Sequence, residues 1–214
     1  LTFSRPVVAL GSVEHEKGLP TPITIAPPLE GEWRWLGSAT VEFVPKGLVP
    51  FATEFTVTVP KGLRAADGSE LPEAYAFAFT TPRPEVQAVD PVDKWRWAKP
   101  DQVFAIVMNQ PVQDLAGHLR LTVGGDEPWP FEVKELRLAD EKRKGEPDRR
   151  HERMASEEKG EKDRRVRYEI RPRKPLPLDA EVELRVDERL RGAEGPLAVA
   201  GELRWTFRTY GPFR

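Results

Sequence analysis

The sequence predicts an all-β protein made of two related antiparallel β-sandwich domains in tandem. Its 214 residues suit two domains of about 100 residues each. The 22 prolines and 16 glycines separate short runs of Val, Phe, Thr and Trp that alternate with a period of two, and no apolar stretch follows helical spacing. A strand-turn-strand unit also occurs twice, which favours two copies of one domain over one large domain.

The repeated unit occupies residues 50–79 and again residues 177–207, and its two copies differ in length by one residue. Each copy has an alternating strand, a Gly-bearing turn and a second alternating strand rich in aromatic residues. Chance does not easily align all three features at nearly equal spacing. The side chains expected in the two cores are Phe55, Val57, Phe77 and Phe79 in the first domain, and Val182, Leu184, Trp205 and Phe207 in the second.

A short Pro-rich stretch, TTPRP at residues 80–84, predicts a stiff linker, so we place the first domain at residues 1–83 and the second at 84–214. The segment FSRPV (residues 3–7) resembles MNQPV (residues 108–112). Before MNQPV the second domain has an opening strand at residues 84–93, and the first domain has no counterpart. We therefore expect the first domain to lack its first strand and to leave an edge that a parent protein would cover.

Further strands follow from local alternation. Residues 21–44 predict three short strands, with alternating pairs at Ile23 and Ile25, Trp33 and Trp35, and Val41 and Phe43. In the second domain, residues 103–108 are almost continuously apolar, which is typical of a central strand covered on both faces. Residues 140–165 contain ten Lys or Arg and nine Asp or Glu. We expect a solvated charged insertion there, either a disordered loop or an exposed hairpin or helix.

Composition excludes several classes of function. The net charge is −2, so no overall field attracts nucleic acid or anionic lipid. The absence of Cys excludes disulfides, thiol nucleophiles and Cys-based zinc sites. No run approaches the roughly 20 apolar residues of a spanning helix, so direct membrane insertion is not expected. Because the sequence starts at Leu1, we expect it to be a fragment of a longer protein.

No catalytic, cofactor or metal site is predicted, and we expect a protein that is not an enzyme. The histidines His15, His118 and His151 show no ligand spacing, and no serine lies in a nucleophile motif. The Asp67-Gly68 pair resembles part of a calcium loop but lacks the alternating Asp ligands. A turn explains it better, since Gly supplies a positive φ and Asp caps its own turn.

The tripeptide Trp-Arg-Trp occurs once in each predicted domain, as Trp33 and Trp35 and as Trp95 and Trp97. On a strand both indoles point to one side and the Arg to the other. The two interpretations are core burial with an exposed Arg, and an exposed aromatic face that binds a neighbouring domain. These four tryptophans are the candidate protein-interaction residues.

A longer motif carries a family resemblance. Over residues 31–84 a W-x-W is followed by a strand ending in F-x-P, then PFATEFTVTV, a D-G turn and FAFTT. This pattern resembles the Ig-like modules near the N-terminus of bacterial alpha-2-macroglobulin-like proteins. The resemblance is strong there, fair over residues 175–209 and poor over the charged insertion.

The resemblance implies two tandem Ig-like β-sandwich domains from a large periplasmic or extracellular protease trap. In that family a protease cuts a bait segment, and a Cys-Gln thioester elsewhere can capture it. This chain has no Cys, so no thioester and no functional residue is carried over. The implied role is scaffold and domain interface, with neighbouring domains and a target protease as partners.

Two alternatives stay open from the sequence. The first is an Ig-like module of a cell-surface adhesin or surface-layer protein, because generic bacterial Ig-like domains share this pattern. The second is an accessory β domain of a secreted carbohydrate-active enzyme, in which Trp33, Trp35 or Trp129 would stack on sugar rings.

Overall fold

The computed structural model describes residues 1–8, 21–137 and 164–211, and in these residues the protein is all-β apart from one short helix, α1. The predicted insertion at residues 140–165 therefore lies outside the described residues except for Arg164 and Arg165, and so do His15 and His151. The elements in chain order are β1 (Thr24–Ala26), β2 (Gly31–Trp35), β3 (Val41–Pro45), β4 (Glu54–Val59), β5 (Tyr75–Thr80), β6 (Val86–Asp90), β7 (Phe104–Met108), α1 (Leu115–His118), β8 (Leu119–Val123), β9 (Phe131–Arg137), β10 (Val166–Pro172), β11 (Glu181–Val186) and β12 (Leu203–Arg208).

The chain divides into two compact units. The first consists of Leu1–Pro50 and Glu54–Thr81, and the second of Phe51–Thr53 and Pro82–Arg214. The short stretch Phe51–Thr53 thus belongs to the second unit although β4, which follows it directly, belongs to the first.

The first unit contains a three-stranded antiparallel sheet, β1-β4-β5, and an antiparallel pair, β2-β3. Leu1–Phe3 extends the pair, because the Phe3 N–H donates to the Ala39 carbonyl at 2.8 Å and Thr2 bridges Thr40. The two sheets enclose a small core. Its buried members are Ile23, Trp35, Val41, Val57 and Val59.

The second unit is a sandwich of two antiparallel sheets, β6-β7-β10-β9 and β12-β11-β8. One core lies between them, and Phe104 from the first sheet packs on Phe207 from the second with ring centroids 4.7 Å apart. Strand β7 lies between β6 and β10 and is buried along almost its whole length. The expectation of a central strand at residues 103–108 is confirmed.

The three-stranded sheets of the two units pair in the same order, β1-β4-β5 and β8-β11-β12. Their last two strands also have the same register. Phe55 lies opposite Phe79 in the first unit, and Val182 lies opposite Phe207 in the second. Both sheets therefore place corresponding residues of the sequence repeat in corresponding positions.

The connections that flank these strands repeat individual hydrogen bonds. The Leu71 N–H donates to the Leu63 carbonyl at 2.8 Å, and at the corresponding position the Val199 N–H donates to the Leu190 carbonyl at 2.9 Å. Each connection also has an isolated antiparallel bridge one residue further in, Arg64 with Glu70 and Arg191 with Ala198.

The predicted core residues are confirmed in part. Phe55, Val57, Val182, Leu184 and Phe207 are buried, and Trp205 is half-buried against the core.

The prediction is wrong for Phe77 and Phe79, whose side chains are 37% and 40% exposed. They lie on β5, which is an edge strand. In the described residues of the first unit, the opposite sheet has no strand corresponding to β6, so nothing covers this end of the aromatic face.

Candidate interaction surfaces

The first Trp-Arg-Trp lies on β2 and its two indoles are not equally accessible. Trp35 is buried and stacks on Phe3 with centroids 6.0 Å apart, while Trp33 is half-buried and meets Phe43 edge-on at 5.1 Å. Arg34 is exposed and forms an ion pair with Glu42 on β3. The Trp35 indole therefore contributes to the core and offers no exposed face.

The second Trp-Arg-Trp lies between β6 and β7, outside any strand. Trp95 is 41% exposed and Trp97 is 67% exposed. Their segment is held along β12 by backbone hydrogen bonds, including the Arg208 N–H to the Trp95 carbonyl at 2.8 Å. The structure thus presents this pair of indoles at the surface of the second unit.

A shallow cleft beside β12 is lined by charged side chains. Lys94, Arg96 and Arg208 are its cations, and Glu181 is an acidic member of the same lining. The carboxylate of Asp179 partly balances them, since it accepts from the Arg208 guanidinium at 2.9 Å. The cleft therefore carries charges of both signs, while the exposed Trp95 and Trp97 offer apolar surface to a partner.

Strand β5 forms a further exposed surface, which the sequence did not identify. All six of its residues are exposed, and its aromatic side chains form a row: Tyr75 packs on Phe77 at 6.2 Å, and Phe79 stacks on buried Phe55 at 5.4 Å. Large apolar side chains grouped on an edge strand are typical of a protein-binding site.

Residues 51–53 pack tightly against other residues of the second unit. The Ala52 N–H donates to the Pro82 carbonyl, and the Leu197 N–H donates to the Ala52 carbonyl, both at 2.8 Å. The Arg164 guanidinium lies 4.1 Å from the centre of the Phe51 ring. Phe51, Ala52 and Thr53 of the PFAT motif therefore have a structural role, because they pack within the second unit.

Two carboxylates that cap turns, Asp67 and Asp187, have lowered pKa values. The Ser69 hydroxyl and N–H, together with the Arg5 guanidinium, lower the pKa of Asp67 to about 2. Gly68 has φ of +83°, so the prediction of an Asp-Gly turn is confirmed.

The second carboxylate is Asp187, next to β11. The Arg189 guanidinium, its N–H and the ring of His118 lower the pKa of Asp187 to about 2. The distance from His118 Nδ1 to Asp187 Oδ1 is 3.1 Å. The pair joins His118, the last residue of α1 before β8, to Asp187, the first residue after β11.

The described residues contain no group of three or more His, Cys, Asp or Glu side chains arranged to hold a metal ion. No helix in the same residues has the length and apolar character needed to cross a membrane. Trp129, considered for sugar stacking, is half-buried and has the Lys174 ammonium 3.8 Å from its ring centre. One face of this indole is therefore occupied.

Comparison of the chain with protein-family models and with curated proteins found no match.

Proposed function

We propose that this chain is a non-catalytic scaffold and interaction region made of two tandem Ig-like β-sandwich domains. The observation that carries the proposal is the strand order of the second unit, four strands in the order β6-β7-β10-β9 facing three in the order β12-β11-β8. If these strands are named A to G along the chain, their order matches that of the ABED and GFC sheets of a constant-type immunoglobulin fold, which supports the proposal.

The first unit supports a second domain of the same kind. Its strands β1, β2, β3, β4 and β5 pair as C, D, E, F and G would, and Leu1–Phe3 bonds to β3 as the B strand bonds to E. The corresponding registers and turn hydrogen bonds also support duplication. A domain of this kind contributes rigidity and surface, and chemistry would occur elsewhere in a larger protein.

We further propose that the larger protein is a bacterial alpha-2-macroglobulin-like protease inhibitor of the periplasm or cell exterior. The support is the motif over residues 31–84, with the W-x-W, PFAT and D-G turn in order. In such a protein the exposed Trp95 and Trp97, flanked by Lys94 and Arg96, would bind a neighbouring domain or the captured protease.

The gene that encodes this sequence tests the parentage. A long continuation with further macroglobulin-like domains would support the proposal, whereas a protein of only two or three domains would refute it. Many further copies of the same repeat would favour a surface adhesin instead.

The full-length protein tests the function. If it encloses proteases, mixing it with a protease should suppress digestion of a large protein substrate and spare cleavage of a small peptide, because only the peptide can enter the enclosure. The 214-residue chain alone should leave both rates unchanged. Inhibition of both substrates by the chain alone would contradict a scaffold role.

A further inference from the structure

The two copies of the sequence repeat begin with loops of the same backbone shape. In the first copy the Ala52 N–H donates to the Pro82 carbonyl at 2.8 Å, and in the second copy the Asp179 N–H donates to the Tyr210 carbonyl at 3.0 Å. Ala52 and Asp179 also share a positive φ, of 53° and 51°. The loop that starts the second copy, residues 178–180, is therefore built like the loop that starts the first.

In the first copy this loop is Phe51–Thr53, and it is covered. The Phe51 N–H donates to a carboxylate oxygen of Glu194 at 2.9 Å, and the Ala52 carbonyl accepts from the Leu197 N–H at 2.8 Å. Glu194 and Leu197 lie on the connection between β11 and β12, in the second unit. The cover thus comes from the domain that is next along the chain.

In the second copy the same loop is bare. Leu178, the counterpart of Phe51, is 45% exposed, and Asp179 is exposed although its counterpart Ala52 is fully buried. Among the described residues, neither the Leu178 N–H nor the Asp179 carbonyl forms a hydrogen bond. The loop therefore presents an apolar side chain, a backbone donor and a backbone acceptor at the positions that are covered in residues 51–53.

We propose that the loop at residues 178–180 is the docking site for a further β-sandwich domain of the same kind, which follows the second unit in the same protein. The incoming domain uses the connection that corresponds to residues 190–198. It places a carboxylate at the Leu178 N–H, a backbone N–H at the Asp179 carbonyl and a packed surface over the Leu178 side chain. The inference rests on the proposed tandem of Ig-like domains and not on the identity of the parent protein.

The path of the chain favours the next domain over a separate protein. The second unit, which covers residues 51–53, resumes at Pro82, and Pro82 also accepts the Ala52 hydrogen bond. The chain passes through the matching place in the second copy at Tyr210. A domain attached there has a high effective concentration at the loop, so a small contact is enough to hold it. A separate protein would need a larger interface.

A second copy of the chain fits the loop less well, because the carboxylates that could bind it are already engaged. Glu194 accepts from the Phe51 N–H at 2.9 Å. The corresponding carboxylate of the first unit, Asp67, accepts from the Ser69 N–H at 2.9 Å and from the Arg5 guanidinium at 2.6 Å. Neither carboxylate is available to the Leu178 N–H of another molecule.

The 214-residue chain gives the first test. Phe51→Asp should lower the urea midpoint of unfolding, because this loop is covered, whereas Leu178→Asp should leave the midpoint within error of the parent. Equal lowering by the two variants would overturn the proposal, since it would mean that Leu178 is already covered in this chain.

The full-length gene product gives the second test. The Leu178 amide should exchange with solvent about tenfold or more slowly there than in the 214-residue chain, measured by hydrogen–deuterium exchange and mass spectrometry. Leu178→Asp should restore fast exchange at this position. Val92→Asp is the matched control, because Val92 is another exposed apolar side chain of the second unit, and it should leave the exchange slow.

The proposal is overturned if the gene encodes no β-sandwich domain after residue 214, if the Leu178 amide exchanges equally fast in both proteins, or if Val92→Asp acts like Leu178→Asp. It is also overturned if the 214-residue chain self-associates in analytical ultracentrifugation and Leu178→Asp abolishes the association. An adhesin with many repeats would refute the proposed parent protein and keep this inference. Fast exchange in a full-length macroglobulin-like protein would refute this inference alone.

Discussion

The Thr209 hydroxyl donates a hydrogen bond to the Pro177 carbonyl at 2.6 Å and ties the end of β12 to the residues before β11. The same oxygen accepts from the Ala180 N–H at 2.8 Å. At the corresponding place in the first unit, the Thr81 hydroxyl donates to the Pro50 carbonyl at 2.8 Å. The residue after each Pro-apolar pair, Ala52 or Asp179, has a positive φ of 53° or 51°.

Thr209→Val tests this tie. Valine keeps the shape of the side chain but leaves the Pro177 carbonyl and the Ala180 N–H without their partner in a site that is 1% exposed. We expect a loss of about 1–3 kcal/mol in the free energy of unfolding, measured by urea denaturation. Thr81→Val, at a less buried site, should cost less, and an equal loss in both variants would contradict the burial argument.

Phe207 on β12 and Phe79 on β5 test whether these two strands differ in burial. Phe207 is 2% exposed and Phe79 is 40% exposed, although they occupy the same position of the repeat. Phe207→Ala should cost about 3–5 kcal/mol of unfolding free energy because it opens a cavity in the core. Phe79→Ala should cost well under half as much in the same assay. Similar losses would mean that β5 is covered in solution.

Most strands could be predicted because the alternation of apolar and polar residues is a local property of the sequence. The apolar side of such a strand, with Val57 or Leu184, faces a core wherever the strand packs. The prediction failed at Phe77 and Phe79 because burial depends on the opposite sheet, which the alternation of β5 does not report. The prediction that the first domain lacks its first strand was made separately and was not applied to the core list. Likewise, one Trp-Arg-Trp motif accounts for all four tryptophans named as interaction candidates. Of these, only Trp35 is fully buried, at the end of β2.

The lowered pKa of Asp187 predicts a pH dependence of stability. Its folded value of about 2 lies below the ordinary 3.8, so the contribution is complete above about pH 4 and is lost as the pH falls through 2. Asp187→Asn should therefore be less stable than the parent at neutral pH, and the difference should shrink toward zero near pH 2. Carboxyl NMR titration of Arg189→Gln should show the Asp187 pKa raised, and an unchanged value would contradict Arg189 as the main cause.

A substitution at Gly195 tests the packing of residues 51–53 in the second unit. A Cβ at this position would overlap the Thr53 hydroxyl and the carbonyl oxygens of Phe51 and Ala52, and backbone atoms cannot move aside cheaply. Gly195→Ala should cost about 1–3 kcal/mol of unfolding free energy through overpacking. Gly201→Ala is the matched control, since a Cβ there meets nothing within 4 Å, and it should stay within about 0.5 kcal/mol of the parent. Equal stability of the two variants would show that residues 51–53 do not pack against this loop in solution.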